Sequence, residues 1–242
     1  MDVVWLVVFA ALLVGYFALE GFDLGAGLLL VGRSQERRDR TVAAMAPFVL
    51  ANEVWLVAVA GVLFGAFPLL EGEVIFALYP FVVAMLLGWV LRDAGLWFRR
   101  RIEGRAWRAW WDLMISLGSL VLAAGWGMAI GRLAGLPWIA GLGLGALTTA
   151  LFAFHGRTFL AWRESRGTGR GLALSALAAA APVVVLLTAA APHLLDNAAP
   201  AATLNVLSLM LVPFAPVMVG AQVWVWRTFR PVKGVDRIPS FF

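Results

Sequence analysis

The segment of residues 3–30, VVWLVVFAALLVGYFALEGFDLGAGLLL, decides the fold class of this chain. A helix needs about 20 predominantly apolar residues to cross a lipid bilayer, and this segment is longer than that. It is also longer than the core of a signal peptide, and no basic residue precedes it. We therefore predict an uncleaved transmembrane helix, into which only Glu20 and Asp23 bring charge.

Six more apolar segments follow, so we predict an all-α integral membrane protein with a bundle of about seven transmembrane helices. The composition agrees, because 62% of the residues are hydrophobic and 14% are charged, whereas soluble domains carry about 25% charged residues. We expect residues 1–242 to form one transmembrane bundle without a soluble domain. The predicted spans are residues 3–30, 42–70, 74–91, 111–130, 138–160, 172–194 and 203–226.

The basic residues predict the orientation of the bundle. Cytoplasmic loops of membrane proteins are enriched in Lys and Arg, so we expect the amino terminus outside and the carboxyl terminus in the cytoplasm. Short basic clusters between apolar segments also argue against nucleic acid as a partner. All basic residues except Arg132 fall on the predicted cytoplasmic side: Arg33, Arg37, Arg38, Arg40, Arg92, Arg99, Arg100, Arg101, Arg105, Arg108, Arg157, Arg163, Arg166, Arg170, Arg227, Arg230, Lys233 and Arg237.

Ligands for metals and haems are scarce in this sequence. It contains no cysteine and two histidines, His155 and His193. We therefore expect no metal or haem to be bound by this chain alone. His155 lies near the cytoplasmic end of the fifth span, and we favour a hydrogen bond inside the bundle over a ligand role for it.

Five carboxylates lie within the predicted spans or at their ends, although charged side chains are costly at that depth. They lean toward the cytoplasmic side, and Glu53 is the deepest. A series of this kind can bind and release protons in turn, so we predict a proton pathway. Its members are Glu20, Asp23, Glu53, Asp93 and Asp112. For Asp93 and Asp112 the alternative is ion pairing with Arg92 and Arg108 at the membrane surface.

Small and uncharged polar residues complete the set of candidates. Gly21 and Gly25 form a small-xxx-small pair, which allows close helix packing, and with Gly27 they predict a face for a partner subunit. The remaining polar candidates within the membrane are Asn52, His155 and Asn205.

Several of these segments resemble subunit II of the cytochrome bd-type quinol oxidases. The sequence GYFALEGFDLGAG at residues 15–27 is similar to the first helix of that family. NEVWLV at residues 52–57 and LFGAFP at residues 63–68 are similar to its second helix. The further similar segments are Ala46-Pro47, the Trp-rich stretch at residues 105–112, His155-Gly156, and TLNV at residues 203–206.

The resemblance implies a subunit of a respiratory terminal oxidase in the bacterial cytoplasmic (inner) membrane. In that family, the partner subunit I binds quinol and holds two b-type haems and one d-type haem. The complex reduces dioxygen to water and takes up protons from the cytoplasm. This chain would support assembly with subunit I and supply part of the proton pathway. Membrane lipid and small accessory subunits are further expected partners.

The chain departs from the family pattern in three ways. Family members commonly have Trp-Asp-Gly where this chain has Val49-Leu50-Ala51, so the carboxylate assigned to proton transfer is missing at Leu50. They often have an acid where this chain has Trp97. The longer members also have a helix pair that is absent here between the fifth and sixth spans.

Two other functions are compatible with the sequence. One is a purely structural scaffold, in which the glycines matter and the acids are dispensable. The other is an unrelated transporter of seven helices, although paired broken helices in two halves, which are typical of many transporters, are lacking.

Overall fold

The computed structural model describes residues 1–231, and this part of the chain folds into eight α-helices. The predicted all-α fold is confirmed. Lys233 and Arg237, which contributed to the predicted orientation, lie outside the described residues. The helices are α1 (Asp2–Leu28), α2 (Gln35–Ala66), α3 (Pro68–Phe98), α4 (Arg105–Leu133), α5 (Trp138–Arg163), α6 (Gly169–Asp196), α7 (Ala201–Leu211) and α8 (Ala215–Thr228).

The predicted number of spans is also confirmed. Helices α1 to α6 are each long and apolar enough to cross a membrane, and α7 and α8 together form a seventh candidate span that is bent by 43°. The bend falls at Pro213, and Pro216 lies in the first turn of α8. Proline lacks an N–H group and clashes with the preceding turn, so it ends a helix or starts a new one.

The helices on the predicted cytoplasmic side extend further than the apolar segments do. Helix α2 begins at Gln35 and α3 continues to Phe98, so the basic connections are shorter than predicted. In particular, Arg92 lies inside α3 and is fully buried. Its predicted place on the cytoplasmic side of the span of residues 74–91 is wrong, because buried carboxylates pair with this arginine and the helix continues past it.

Helix α1 lies at the centre of the bundle and packs against α2, α4, α5 and α6. Aromatic rings fill the space around its carboxyl-terminal half, where Phe22 stacks on Phe159 of α5 with 4.0 Å between the ring centroids. Phe48 of α2 packs edge-on against both rings. Helix α3 is more peripheral, since it packs mainly against α4 and leaves much of its apolar surface exposed.

The glycine face of α1 packs against helices of the same chain. A Cβ atom on Gly25 would lie 1.8 Å from the carbonyl oxygen of Phe152 in α5, and one on Gly27 would lie 2.2 Å from Oγ of Ser119 in α4. Gly21 faces the Phe152 ring. All three glycines are buried, so the expected contact of this face with a partner subunit is corrected to packing inside the bundle.

Candidate functional site

Arg92 of α3 is the centre of the candidate site. Its guanidinium forms ion pairs with Glu20 of α1 and Glu53 of α2, and its Nε lies 3.0 Å from Oδ1 of Asp93. Three of the five predicted acids therefore meet at one arginine. A buried arginine is tolerated inside a membrane bundle when carboxylates pair with it, and this explains how α3 continues past Arg92.

The Arg92 cluster contains more acidic groups than basic ones. Its members are Glu20, Glu53, Asp93 and Arg92, and Oε2 of Glu20 is buried without a hydrogen-bond partner among the described residues. Carboxylates that are held close together repel one another, and sharing a proton among them relieves this repulsion. The arrangement can therefore hold a proton as well as tie three helices together.

The Arg92 cluster reaches the outer surface of the bundle at α3. Nε1 of Trp89 donates a hydrogen bond of 2.8 Å to Oε1 of Glu53. The Asp93 side chain is partly exposed, and a shallow depression beside it is lined by Leu86, Trp89, Val90, Asp93 and Ala94. The cluster thus runs from the buried Glu20 to the exposed surface of α3.

Asp23 belongs to a second, separate network. Nδ2 of Asn52 donates to Oδ2 of Asp23 over 2.6 Å and to the carbonyl oxygen of Leu19 over 3.2 Å. Gln222 of α8 donates to Oδ1 of Asn52 over 2.9 Å and accepts a hydrogen bond from Nε1 of Trp55 over 3.2 Å. We call these residues the Asn52 network, and it adjoins the Arg92 cluster because Asn52 and Glu53 are consecutive.

The Asp23 carboxyl is fully buried and forms no direct ion pair with any residue that the structure describes. Its Oδ1 atom has no hydrogen-bond partner among the described residues, and no arginine or lysine within residues 1–231 forms an ion pair with it. Asp23 therefore differs from Glu20 and Glu53, which share the charge of Arg92.

Asp112 lies in a third group near the helix ends on the predicted cytoplasmic side. Its Oδ1 atom is 2.8 Å from Nε of Arg99, and its Oδ2 atom is 3.4 Å from Nη1 of Arg38. The alternative pairing with Arg108 is wrong, because Arg108 lies 3.8 Å from Asp39 instead. The corresponding alternative for Asp93, pairing with Arg92, agrees with the structure.

His155 connects three helices. Its Nδ1 atom lies 2.7 Å from Oγ of Ser175 in α6, and its Nε2 atom lies 2.9 Å from the carbonyl oxygen of Ala18 in α1. This agrees with the predicted hydrogen-bonding role. With both ring nitrogens engaged, the buried histidine does not fit a haem iron, and His193 is largely exposed at the opposite end of the bundle.

Two further observations define the limits of the site. Asn205 is exposed on α7 and belongs to neither network. Within residues 1–231, no group of three or more His, Asp or Glu side chains is placed to hold a metal ion. Gln222 was not predicted as a member of the site, and Arg92 was predicted only as an alternative partner of Asp93. A glutamine in an apolar segment was a usable signal for Gln222, whereas Arg92 resembled an ordinary loop arginine.

Comparison with known proteins adds an independent finding. The family model for cytochrome bd terminal oxidase subunit II matches residues 1–195. The chain is 33% identical over 138 residues to cytochrome bd-I ubiquinol oxidase subunit 2 of Escherichia coli (strain K12), covering 56% of this chain and 36% of that protein. It is 37% identical over 120 residues to cytochrome bd ubiquinol oxidase subunit 2 of Bacillus subtilis (strain 168), covering 48% of this chain and 35% of that protein. The aligned part thus spans about a third of the length of these relatives.

Proposed function

Because the chain belongs to the family of cytochrome bd terminal oxidase subunit II, we propose that it is a subunit of a bacterial quinol oxidase. It would assemble with a haem-bearing partner, subunit I, in the cytoplasmic membrane. The complex would oxidise quinol and reduce dioxygen to water. Two b-type haems, the d-type haem and the quinol would be bound in or near the partner, since the described residues offer no buried imidazole that is free for iron. Family membership argues against an unrelated transporter.

The proposed contribution of this chain to catalysis is proton transfer from the cytoplasm. One observation carries this proposal: Asp23 is fully buried, forms no direct ion pair within residues 1–231, and accepts a hydrogen bond from the Asn52 amide. Burying a carboxylate that is not directly paired with a cation costs far more free energy than burying the neutral acid. Asp23 can therefore take up a proton from the cytoplasmic side and give it up again.

The Arg92 cluster would be the next acceptor along this route. Glu53 follows Asn52 directly in α2, and its carboxylate shares Arg92 with Glu20. Glu53 would then take over from the carboxylate that is missing at Leu50. Asp93 would be the member of the cluster closest to the outer face of α3, where the partner or lipid lies.

A structural scaffold is the second candidate function, and the ion pairs of Arg92 favour it. They join α1, α2 and α3 inside the bundle, which holds the helices in place even when no proton moves. The pairs of Asp112 with Arg99 and Arg38 act in the same way at the cytoplasmic end. For Asp112 we therefore propose anchoring as its main role and the proton pathway as a lesser one.

The Asp23→Asn variant of the assembled oxidase separates these two functions. The amide has nearly the same shape and still forms hydrogen bonds, but it cannot carry a proton. Because losing a proton-transfer group typically lowers rates by about 10²–10⁴-fold, we expect quinol-driven oxygen consumption per haem to fall at least ~10-fold, with normal haem content and subunit ratio. Asp2→Asn, an exposed change in the same helix, is the matched control.

The Asp23→Asn, Glu53→Gln double variant gives the stricter test. Full oxygen consumption by this variant, in a complex of normal haem content, would exclude the proton pathway and leave the scaffold. Loss of haem or of the partner subunit in the single variants would show that the acids hold the bundle together. Slow turnover in an intact complex supports proton transfer.

A further inference from the structure

Three arginines form a basic cluster at one cytoplasmic corner of the bundle, and we call it the Arg33 cluster. Arg33 lies in the turn after α1, Arg37 in the first turn of α2, and Arg157 near the end of α5. The close contact between α1 and α5 brings these elements together, because a Cβ atom on Gly156 would lie 2.3 Å from the backbone of Gly25. Arg37 and Arg157 are exposed, and Arg33 is half-buried.

The guanidinium group of Arg33 is repelled by those of Arg37 and Arg157. Partial burial lowers the pKa of Arg33, and the nearby charges of Arg37 and Arg157 lower it further. Like charges that are held together in this way destabilise the fold unless an anion lies between them.

Among the described residues, the Arg33 cluster has no acidic partner, unlike the neighbouring arginines. Arg38 pairs with Asp112, and Arg40 pairs with Glu36. Within the described part of the chain, no ion pair or side-chain hydrogen bond involves the guanidinium groups of Arg33, Arg37 and Arg157. Their donors therefore remain available to a ligand.

The backbone next to the Arg33 cluster also favours an anion. Helix α2 begins at Gln35, and the side chain of its N-cap residue, Ser34, forms no capping hydrogen bond. The first N–H groups of a helix and the positive end of its dipole attract negative charge. Glu36, the acid in this turn, is engaged by Arg40.

Exposed apolar side chains lie within a few residues of Arg33 and Arg157. Val31 is 67% exposed in the same turn as Arg33, and Phe154 is 56% exposed on α5. Phe154 and Arg157 are three residues apart and therefore share a helix face. A ligand that fits both features has an anionic head and a hydrocarbon chain.

We propose that the Arg33 cluster is a specific binding site for an anionic phospholipid at the cytoplasmic surface of the membrane. Arginine forms two parallel hydrogen bonds with a phosphate group, which suits it to this role. The phosphodiester would lie among the guanidinium groups, and an acyl chain would lie along Val31 and Phe154. Basic pockets at the cytoplasmic membrane surface bind lipid head groups by the same chemistry.

Native mass spectrometry of the delipidated, full complex tests this proposal. Phosphatidylglycerol is titrated into the complex that carries Arg33→Gln, Arg37→Gln and Arg157→Gln, and phosphatidylcholine and inorganic phosphate serve as separate probes. The matched control carries Arg100→Gln, Arg101→Gln and Arg105→Gln, which removes the same charge from another exposed basic connection. We expect at least ~10-fold weaker phosphatidylglycerol binding in the first variant and less than ~2-fold weaker binding in the control.

Four outcomes would overturn the proposal. If both triple variants lose the same amount of phosphatidylglycerol affinity, the lipid is attracted by the overall positive charge and not by a specific site. If the variant of the Arg33 cluster binds phosphatidylglycerol as tightly as the wild type does, the cluster is not the binding site. Equal binding of inorganic phosphate and phosphatidylglycerol by the wild-type complex would point to a free anion. Loss of the partner subunit with unchanged lipid binding would show that an acidic protein surface covers the cluster.

Discussion

Replacing Arg92 with methionine should strongly destabilise the bundle. Methionine matches the apolar stem of arginine, but it removes the cation that Glu20, Glu53 and Asp93 share. Removing one partner of a buried ion pair costs about 3–5 kcal/mol, and Arg92 is fully buried with two close carboxylates. Each 1.4 kcal/mol corresponds to a factor of ten, so the ratio of folded to unfolded chain should fall by about 100-fold or more.

Thermal unfolding of the detergent-purified complex measures this effect. A second variant carries Arg92→Met together with Glu20→Gln and Glu53→Gln, and we expect it to regain part of the lost stability, because fewer buried charges remain without a partner. Arg100→Met is the control, since Arg100 is exposed at the end of α3. If Arg92→Met unfolds at the wild-type temperature, the ion pairs do not hold the bundle as the structure indicates.

Two further variants test the packing of α1 and the role of His155. Gly25→Ala should lower thermal stability, because the added Cβ atom would collide with the backbone of α5. Gly61→Ala is the control, and it should leave thermal stability equal or slightly higher, because the space around Gly61 is open and alanine favours the helix. Equal stability of the two variants would contradict the packing of α1 against α5. His155→Asn should lower stability by about 1–3 kcal/mol through the lost hydrogen bonds. Its haem absorption per assembled complex should stay unchanged in a reduced-minus-oxidised spectrum, and the disappearance of one haem signal would reveal a ligand.

The apolar segments predicted the transmembrane helices well, but not where they end. Hydropathy locates the part of a helix that crosses hydrocarbon, whereas α2 begins at Gln35 and α3 ends at Phe98, both among charged residues. The continuation of α3 depends on Glu20 and Glu53, which neutralise Arg92 from other helices. Such pairing joins residues far apart in sequence, so a local pattern does not reveal it.

The members of the candidate site were partly predictable. Acids inside apolar segments were easy to find, because each is costly in a membrane. Their grouping was not, since Asn52 links Asp23 of α1 to Gln222 of α8, near the other end of the described chain. The helices that pack on the glycine face could not be predicted from the sequence either, because a small-xxx-small pattern indicates close packing but not which helix approaches.

The optical spectrum of the affinity-purified full chain tests the central claim most directly. If the chain is subunit II of a bd-type oxidase, it should purify from its native membrane together with a haem-bearing partner, and the complex should show the absorption of both b-type and d-type haem. The complex should also consume oxygen when quinol is supplied, and the chain separated from its partner should retain no stoichiometric haem. Purification of the chain alone, or with a partner that lacks haem, would contradict the account, as would a full complement of haem on the separated chain.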